Sequence, residues 1–342
     1  MALKTSITIA ALAAIHLVLL AADFCAPYDP ALQDRELSYA PPTPAHFKGS
    51  TGVHLRPFVC AWTTVMEGED AGGYKEDCRH EYPLRFFVRG ASYKFAGVYE
   101  ANLHLFGTDA PGKILFAGTD GYGRDEFSRL LCGGRISIAA GLIATFIALL
   151  SGGLVGIIAG YFGRWVDEAL MGVTEVFLSL PWLYFLLGVR AFLPLHLSAL
   201  RTFFLLTGVI GLIGWARPAR LVRGLVLSVR SRNYVLAARG FGGSHVYLLR
   251  KHILPEIWGL LLTQAVLLVP RYIAAEATLS FFGLGVSEPV PSWGNMLSGL
   301  QQYSVLISYR WLWAPACALV ITSVLYSSLA DVLHSRLESQ TT

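Results

Sequence analysis

Residues 136–162 read ISIAAGLIATFIALLSGGLVGIIAGYF, 27 residues without a charged side chain. A helix needs about 20 mostly apolar residues to cross roughly 30 Å of hydrocarbon, and this stretch exceeds that requirement. The rest of the chain has the same character. Of 342 residues, 15% are charged, 54% are hydrophobic and 34 are glycine, and the mean hydropathy is +0.52. Soluble domains carry about 25% charge. The composition therefore predicts apolar helices packed through small residues in lipid. It excludes a disordered chain, a disulfide-dense small domain and a basic nucleic-acid binder. The chain reads as an all-α polytopic membrane protein.

Five more segments have the length or composition of a span. Residues 5–22 follow Lys4 and read as an uncleaved anchor, with a cleaved signal peptide as the alternative. Residues 169–189 are interrupted by Glu175 and Pro181, and residues 203–216 are bracketed by Arg201 and Arg217, whose long stems can snorkel. Residues 257–282 contain Pro270, Arg271 and Glu276, and residues 311–330 open with Trp311 and Trp313, as an interfacial aromatic belt does. Six spans are expected. Residues 217–251 hold eight basic side chains and no acid, whereas 283–310 holds Glu288 and Arg310 alone. The excess of positive charge places 217–251 in the cytoplasm, and both termini with it.

The expected organisation is a first helix at 1–22, an external segment at 23–135, and a five-helix core at 136–336. That core contains a cytoplasmic loop at 217–255, and a cytoplasmic tail follows at 337–342. The external segment carries 12 basic and 15 acidic residues. Within it, Leu84, Phe86 and Val88 alternate with Arg85, Phe87 and Arg89, a period of two that predicts a strand over 82–89. A small β-containing domain, inserted at about 48–117, is expected. Cys60 and Cys78 lie in it, in a compartment that permits disulfides, and are expected to pair. The alternative, a metal site of Cys60, Cys78, His54 and His80, has spacings that match no metal motif, so no metal is assigned. Cys132 and Cys317 read as buried small residues.

Gly152, Gly156 and Gly160 stand four apart on one helical face, which invites close approach of another helix, in this chain or in a second subunit. Glu175, Arg271 and Glu276 are ionisable residues within apparent spans, and such residues face a cavity or a partner. Glu175 also suits an interfacial position. Arg271 and Glu276 lie about 140° apart around a helix, too far to pair, so a substrate or proton role stands beside structural pairing with other groups. Catalytic motifs are missing from the sequence: Gly112-Lys113 is followed by Ile114 rather than completing a P-loop, no H-E-x-x-H or G-x-S-x-G occurs, and Gly121 and Gly123 do not extend to a dinucleotide fingerprint. No catalytic residue is assigned.

The basic loop contains NYVLAARGFGGSHVYLLRKHILP at 233–255. Asn233 is expected to cap a short helix through Arg239, with Gly240, Gly242 and Gly243 turning the chain into a second helical stretch at 244–254. Such a projection suits docking into a groove on a cytoplasmic protein; an ordinary surface loop near anionic lipid is the alternative.

At these residues the chain resembles the permease subunits of ABC importers, the dipeptide/oligopeptide class in particular. The family signature is Glu-Ala-Ala, three residues, Gly, nine residues, then Ile-x-Leu-Pro. Ala237, Ala238, Gly242, Leu254 and Pro255 fill their places, and His252 holds the Ile position, as in the peptide class. Residues 118–125 (GTDGYGRD), 128–131 (SRLL), 134–137 (GRIS), 275–285 (AEATLSFFGLG), 291–295 (PSWGN) and 26–30 (APYDP) resemble further motifs of the class. The resemblance extends over 118–336, 64% of the chain. Two departures stand out: Leu236 replaces the signature Glu, and about 70 residues, 48–117, intervene between the proline-rich stretch 41–47 and Gly118.

The resemblance implies a bacterial inner-membrane permease, not an enzyme, that pairs with a second homologous permease around a translocation path. It implies two cytoplasmic ABC ATPase subunits docked on the loops, with residues 237–243 as this chain's coupling segment, and a periplasmic substrate-binding protein. ATP and Mg²⁺ would then belong to the ATPases, and this chain would hold no cofactor. Lipid is the remaining expected partner; nucleic acid is not one. Di- and oligopeptides are the expected substrates, with nickel or another small solute as the alternative. The rival from another class is an ion-coupled secondary carrier that relays ions through Glu175, Arg271 and Glu276; it requires inverted repeats, and no convincing pair of similar halves appears.

Overall fold

A computed structural model of the chain describes residues 2–49, 52–65, 73–95, 99–192 and 198–341. Two compact units make it up: one comprises Met1–Leu12, Ile138–Leu279 and Ile321–Thr342, the other Ala13–Ser137 and Ser280–Val320. The helices are α1 (Ala2–Leu20), α2 (Ala22–Cys25), α3 (Glu126–Phe162), α4 (Arg164–Ser179), α5 (Trp182–Phe192), α6 (Ala199–Gly214) and α7 (Ala216–Arg230). They continue as α8 (Asn233–Gly240), α9 (His245–Leu248), α10 (Leu254–Phe281), α11 (Trp293–Ser298), α12 (Tyr303–Ser308) and α13 (Ala314–Thr341). The strands are β1 (His46–Gly49), β2 (Gly52–Thr64), β3 (Tyr74–Pro83), β4 (Arg85–Phe95) and β5 (Tyr99–Gly107).

Among the described residues, four helical runs are long and apolar enough to cross a membrane: Glu126–Phe162, Ala199–Arg230, His245–Phe281 and Arg310–Leu333. The pair α4 and α5 has the same apolar composition but is bent by 88° at its break, the form of a broken span or of a re-entrant loop. The bend has a local cause. Leu180 is extended, at φ −69° and ψ 132°, because the ring of Pro181 disfavours a helical residue before it. The apolar helix Thr5–Leu20 is shorter than the others. Six spans are expected from the sequence; among the described residues four helices, or five with the bent pair, have the length and composition to cross.

In the first unit the glycine stripe of α3 lies against α7 of the same chain. A methyl at Gly152 would sit 2.5 Å from the Trp215 carbonyl oxygen, one at Gly156 2.5 Å from that of Ala219, and one at Gly160 2.8 Å from Val226 Cβ. Backbone-to-backbone approach of this kind needs small residues. Arg230 closes the arrangement by donating to the Gly160 and Tyr161 carbonyls at 2.8 and 3.0 Å, filling acceptors that the end of α3 leaves open. The sequence reading ended a span at 216 and treated 217–230 as loop. That stretch is instead helix α7, continuing α6, and its buried Val222, Val226 and Val229 recur at helical spacing.

In the second unit β1, β2 and β3 form an antiparallel sheet in that order, and β4 and β5 form a separate antiparallel pair. Cys60 and Cys78 are joined in a disulfide across β2 and β3. His46 Nε2 comes near these sulfurs, within 4.8 Å, but it faces Glu76 at 3.0 Å, and disulfide sulfurs are not thiolate ligands. The strand expected over 82–89 is two strands. The chain breaks at Leu84, whose N–H makes the last bond to β2, at the Pro57 carbonyl (2.9 Å), after which β4 pairs with β5 instead.

The entry to α3 is fixed by buried ion pairs. Asp120 accepts the backbone N–H groups of Tyr122 and Arg124 at 2.8 and 3.0 Å, and Arg124 Nε at 2.7 Å. Arg124 Nη1 also donates to Glu288 at 2.6 Å, and Arg129, 1% exposed, reaches the other Glu288 oxygen at 3.0 Å. Guanidinium groups removed from water need such carboxylates around them. Thr119 Oγ1 accepts the Ala40 N–H at 2.7 Å, and Trp311 Nε1 donates to the Thr119 carbonyl at 3.0 Å. Ser292 and Asn295 form a capping box on α11, and Trp293 Nε1 donates to the Leu130 carbonyl at 3.0 Å. Cys132 is buried. Cys317, expected to be buried, is exposed on α13, on a helix that also exposes Val320, Ile321 and Val324; an apolar helix in lipid has no need to cover such residues.

Candidate coupling loop and membrane cavity

The loop at 233–255 stands on its own small core. Val222, Val226 and Val229 of α7, Val235 of α8, Leu248 of α9, Ile253, and Ile257 of α10 are buried together, with Ile157 and Tyr161 of α3 against them. Each such side chain is worth up to about 1.5–3 kcal/mol of apolar burial, so the loop is held by packing rather than hung from its ends. Tyr161 Oη lies 2.7 Å from His245 Nδ1, a further tie to α3.

The turn between α8 and α9 is built as the glycines suggest. Gly242 adopts φ +86°, a left-handed conformation that favours glycine. The N–H groups of Phe241, Gly242 and Gly243 donate to the Ala237, Arg239 and Ala238 carbonyls at 3.0, 3.1 and 3.0 Å, which closes the helix end. A methyl at Gly243 would sit 2.7 Å from the Ala238 carbonyl. Ser244 caps α9 by accepting the Tyr247 N–H at 3.3 Å. Asn233, expected as the cap of the first helix, is its first residue; the cap position is Arg232, and no side chain bonds there.

With Val235 turned inward, the remaining side chains of α8 and its turn face out. Leu236, Ala237 and Arg239 are exposed, Ala238 is half-buried, and Phe241 is 93% exposed. Tyr234, Val246 and Tyr247 extend the same apolar surface. His252 is half-buried between the rings of Tyr234 and Tyr247, at centroid distances of 5.7 and 5.6 Å, while Leu254 and Pro255 are exposed. An acid does stand beside this surface, although position 236 is Leu. Glu256 accepts from Arg232 Nη1 at 3.3 Å and from the Tyr234 hydroxyl at 3.0 Å. Burial, and then the bond to Glu256, raise the Tyr234 hydroxyl above its ordinary pKa, so it remains a donor at neutral pH. Sequence reading missed Glu256 because it lies one residue beyond the motif.

The same unit encloses a cavity of about 480 Å³ beside the α4–α5 bend. Trp182, Leu186, Ile210 and Tyr272 supply apolar wall, and Arg217, Arg220 and Arg271 supply positive charge. Arg271 thus faces a cavity. Glu175 is exposed and pairs loosely with Arg220 at 3.6 Å; Glu276 is buried on α10 and does not line the cavity. Of the three intramembrane ionisable residues, Arg271 is the one that lines this cavity.

The family model for the binding-protein-dependent transport system inner membrane component matches residues 152–341, more than half of the chain. The chain is 36% identical over 230 residues to the dipeptide transport system permease protein DppC of Bacillus subtilis, covering 67% of this chain and 69% of that one. It is 37% identical over 230 residues to the oligopeptide transport system permease protein OppC of the same organism, covering 67% and 72%. Among solved structures, an inward-facing MetNI methionine ABC transporter chain matches with a TM-score of 0.46 at 19% identity, covering 60% of this chain and 95% of that one. The chain belongs to the family of binding-protein-dependent transport system inner membrane components.

Proposed function

We propose that this chain is one permease subunit of an ATP-binding-cassette importer for di- and oligopeptides, and that residues 233–255 are the segment through which partner ATPases move it. The observation that carries the reading is the loop itself: a short helix and glycine turn, rigid from within, that presents Leu236, Ala237, Phe241 and Tyr247 to the outside. Apolar side chains gathered on a rigid projection mark a protein contact. The dipeptide and oligopeptide permeases among its relatives supply the substrate class.

In this reading a second homologous permease completes the translocation path, and the cavity at Arg217, Arg220 and Arg271 is this chain's part of it. Guanidinium groups against an apolar wall favour a ligand bearing a carboxylate, which every unblocked peptide has. Two ATPases bind ATP and Mg²⁺ on the cytoplasmic side, where both termini of this chain also lie, and a binding protein delivers peptide from the other side. ATP binding shifts the permease between two access states, and no bond in the substrate changes. Leu236 in place of the signature acid gives this contact an apolar centre, with Glu256 at its edge.

Reconstitution tests this reading. Proteoliposomes holding both permeases, both ATPases and the binding protein should accumulate labelled di- and tripeptides on addition of ATP. Transport by the lone chain driven by an ion gradient would establish the secondary carrier instead, and ATP-driven uptake of nickel but not peptide would move the substrate class.

A further inference from the structure

The second unit carries an exposed aromatic corner that neither its buried ion pairs nor the coupling loop explains. Residues 85–89 of β4 read Arg-Phe-Phe-Val-Arg. In a regular strand Phe86 and Phe87 would lie on opposite faces, and one of them would be covered. Phe87 instead adopts φ +57°, a left-handed conformation that is unusual for a bulky side chain. The two adjacent rings stand 66% and 62% exposed.

The position of this corner relative to the lipid-crossing helices can be read from its neighbours. Asp23 is the first charge after the apolar run of α1, and Arg135 is the last before the uncharged run 136–162. They pair through both carboxylate oxygens, at 2.5 and 3.1 Å. That pair marks the level at which two spans leave the hydrocarbon. Phe24, next to Asp23, lies 6.3 Å from Phe87 between ring centroids. The end of α1, directly before this segment, exposes Leu17, Val18 and Leu20, so exposed apolar side chains precede Asp23 in the chain and Phe87 stands by the ring that follows it. The hairpin is also clamped at this level. Buried His104 of β5 sets Nδ1 2.6 Å from the Ala26 carbonyl oxygen and Nε2 3.0 Å from that of Ala91. Gly90 leaves room for that ring, because a methyl there would lie 2.7 Å from His104 Cδ2.

We infer that residues 85–89 are a membrane-interface anchor: Phe86 and Phe87 insert at the boundary between headgroups and acyl chains, and Arg89 lies among lipid phosphates. Phenylalanine rings gain at that depth by burying apolar area at the boundary of headgroups and acyl chains. An exposed arginine beside them complements an anionic headgroup. The β4–β5 hairpin then rests on the bilayer it is joined to, which fixes the tilt of the β sheets against α1. The inference requires only that the chain crosses a membrane, and it is independent of substrate, orientation and ATPase coupling.

Photocrosslinking tests it. The full chain, carrying p-benzoylphenylalanine at position 86 or 87, is placed in nanodiscs of phosphatidylcholine with and without phosphatidylglycerol, irradiated, and weighed by mass spectrometry. The expected result is a covalent adduct of one phospholipid at both positions, and none when the same group replaces Phe241, a still more accessible ring on the coupling loop. Arg89→Gln should lower the yield of phosphatidylglycerol adduct by about fivefold, the effect of one arginine near an anionic surface, and leave the phosphatidylcholine adduct unchanged. Adducts formed only with protein at 86 and 87 would identify a subunit contact and overturn the proposal. So would the lack of any adduct at both positions.

Discussion

Two regions carry most of the sequence motifs, and the structure uses them in opposite ways. The segments around residues 118–137 and 286–311 turn their distinctive side chains inward: Asp120, Arg124, Arg129, Trp293 and Asn295 each have bonded partners inside the second unit. In the loop at 233–243 most of the distinctive side chains turn outward, and packing uses Val235 of α8 with part of Ala238. A motif that its own fold explains says little about partners. A motif that the fold leaves exposed, on a base rigid enough to transmit force, points beyond the chain. The difference separates residues that build the permease from residues that are argued to drive it.

That separation can be broken by substitution, and the largest expected effect lies in the inward region. Gly123 holds φ +71°, and a methyl there would sit 1.7 Å from the Asp34 carbonyl oxygen. Gly123→Ala should therefore cost more than ~3 kcal/mol, visible as a loss of folded protein in detergent. Removing the disulfide comes next. Its cysteines are 18 residues apart, and closing such a loop contributes about 3 kcal/mol in the chain-entropy account. Cys60→Ser should lower the unfolding midpoint in non-reducing buffer, and reductant should lower the parent protein to the same value.

A smaller effect belongs to the helix pair of the first unit. Gly156→Ala should destabilise by about 1–3 kcal/mol, because α7 must shift to clear the Ala219 carbonyl. Parent-like thermal stability in that variant would mean that α3 and α7 approach less closely than described. The smallest effect on stability is expected at Phe241. Phe241→Asp removes a ring that is almost fully in the open and should move folding by no more than about 0.5 kcal/mol. A large loss of stability there would erase the distinction between inward and outward motifs.

Much of this was legible in the sequence, for identifiable reasons. Uncharged runs announce spans because hydrocarbon tolerates no alternative, and the glycines of residues 240–243 announce a turn because few other residues take Gly242's φ. Boundaries were harder. The arginines of α7 looked like a loop, since charge obscured the valine stripe that buries it. The alternation at 82–89 hid a break at Leu84, because the change of partner there, from β2 before it to β5 after it, leaves no mark on the alternation. Of the cavity's arginines, Arg271 was legible as a charge inside an apolar run, whereas Arg217, Arg220 and Glu256 did not stand out among the charges around the basic loop. Arg217, Arg220 and Arg271 line one cavity only when the α4–α5 bend, α7 and α10 are folded.

Coupling through the loop is the central claim, and Phe241→Asp tests it more cleanly than Ala238→Asp or Gly242→Asp. Ala238 is half-buried, and Gly242 needs its positive φ, so substituting either disturbs the turn as well as the contact. The decisive measurement is substrate-stimulated ATP hydrolysis and uptake by the reconstituted importer carrying Phe241→Asp, with its unfolding midpoint taken on the same sample. The expected result is an unchanged midpoint with stimulation and uptake reduced by at least about tenfold, the scale of a lost interface anchor. Parent-like stimulation and uptake from a normally folded variant would contradict it.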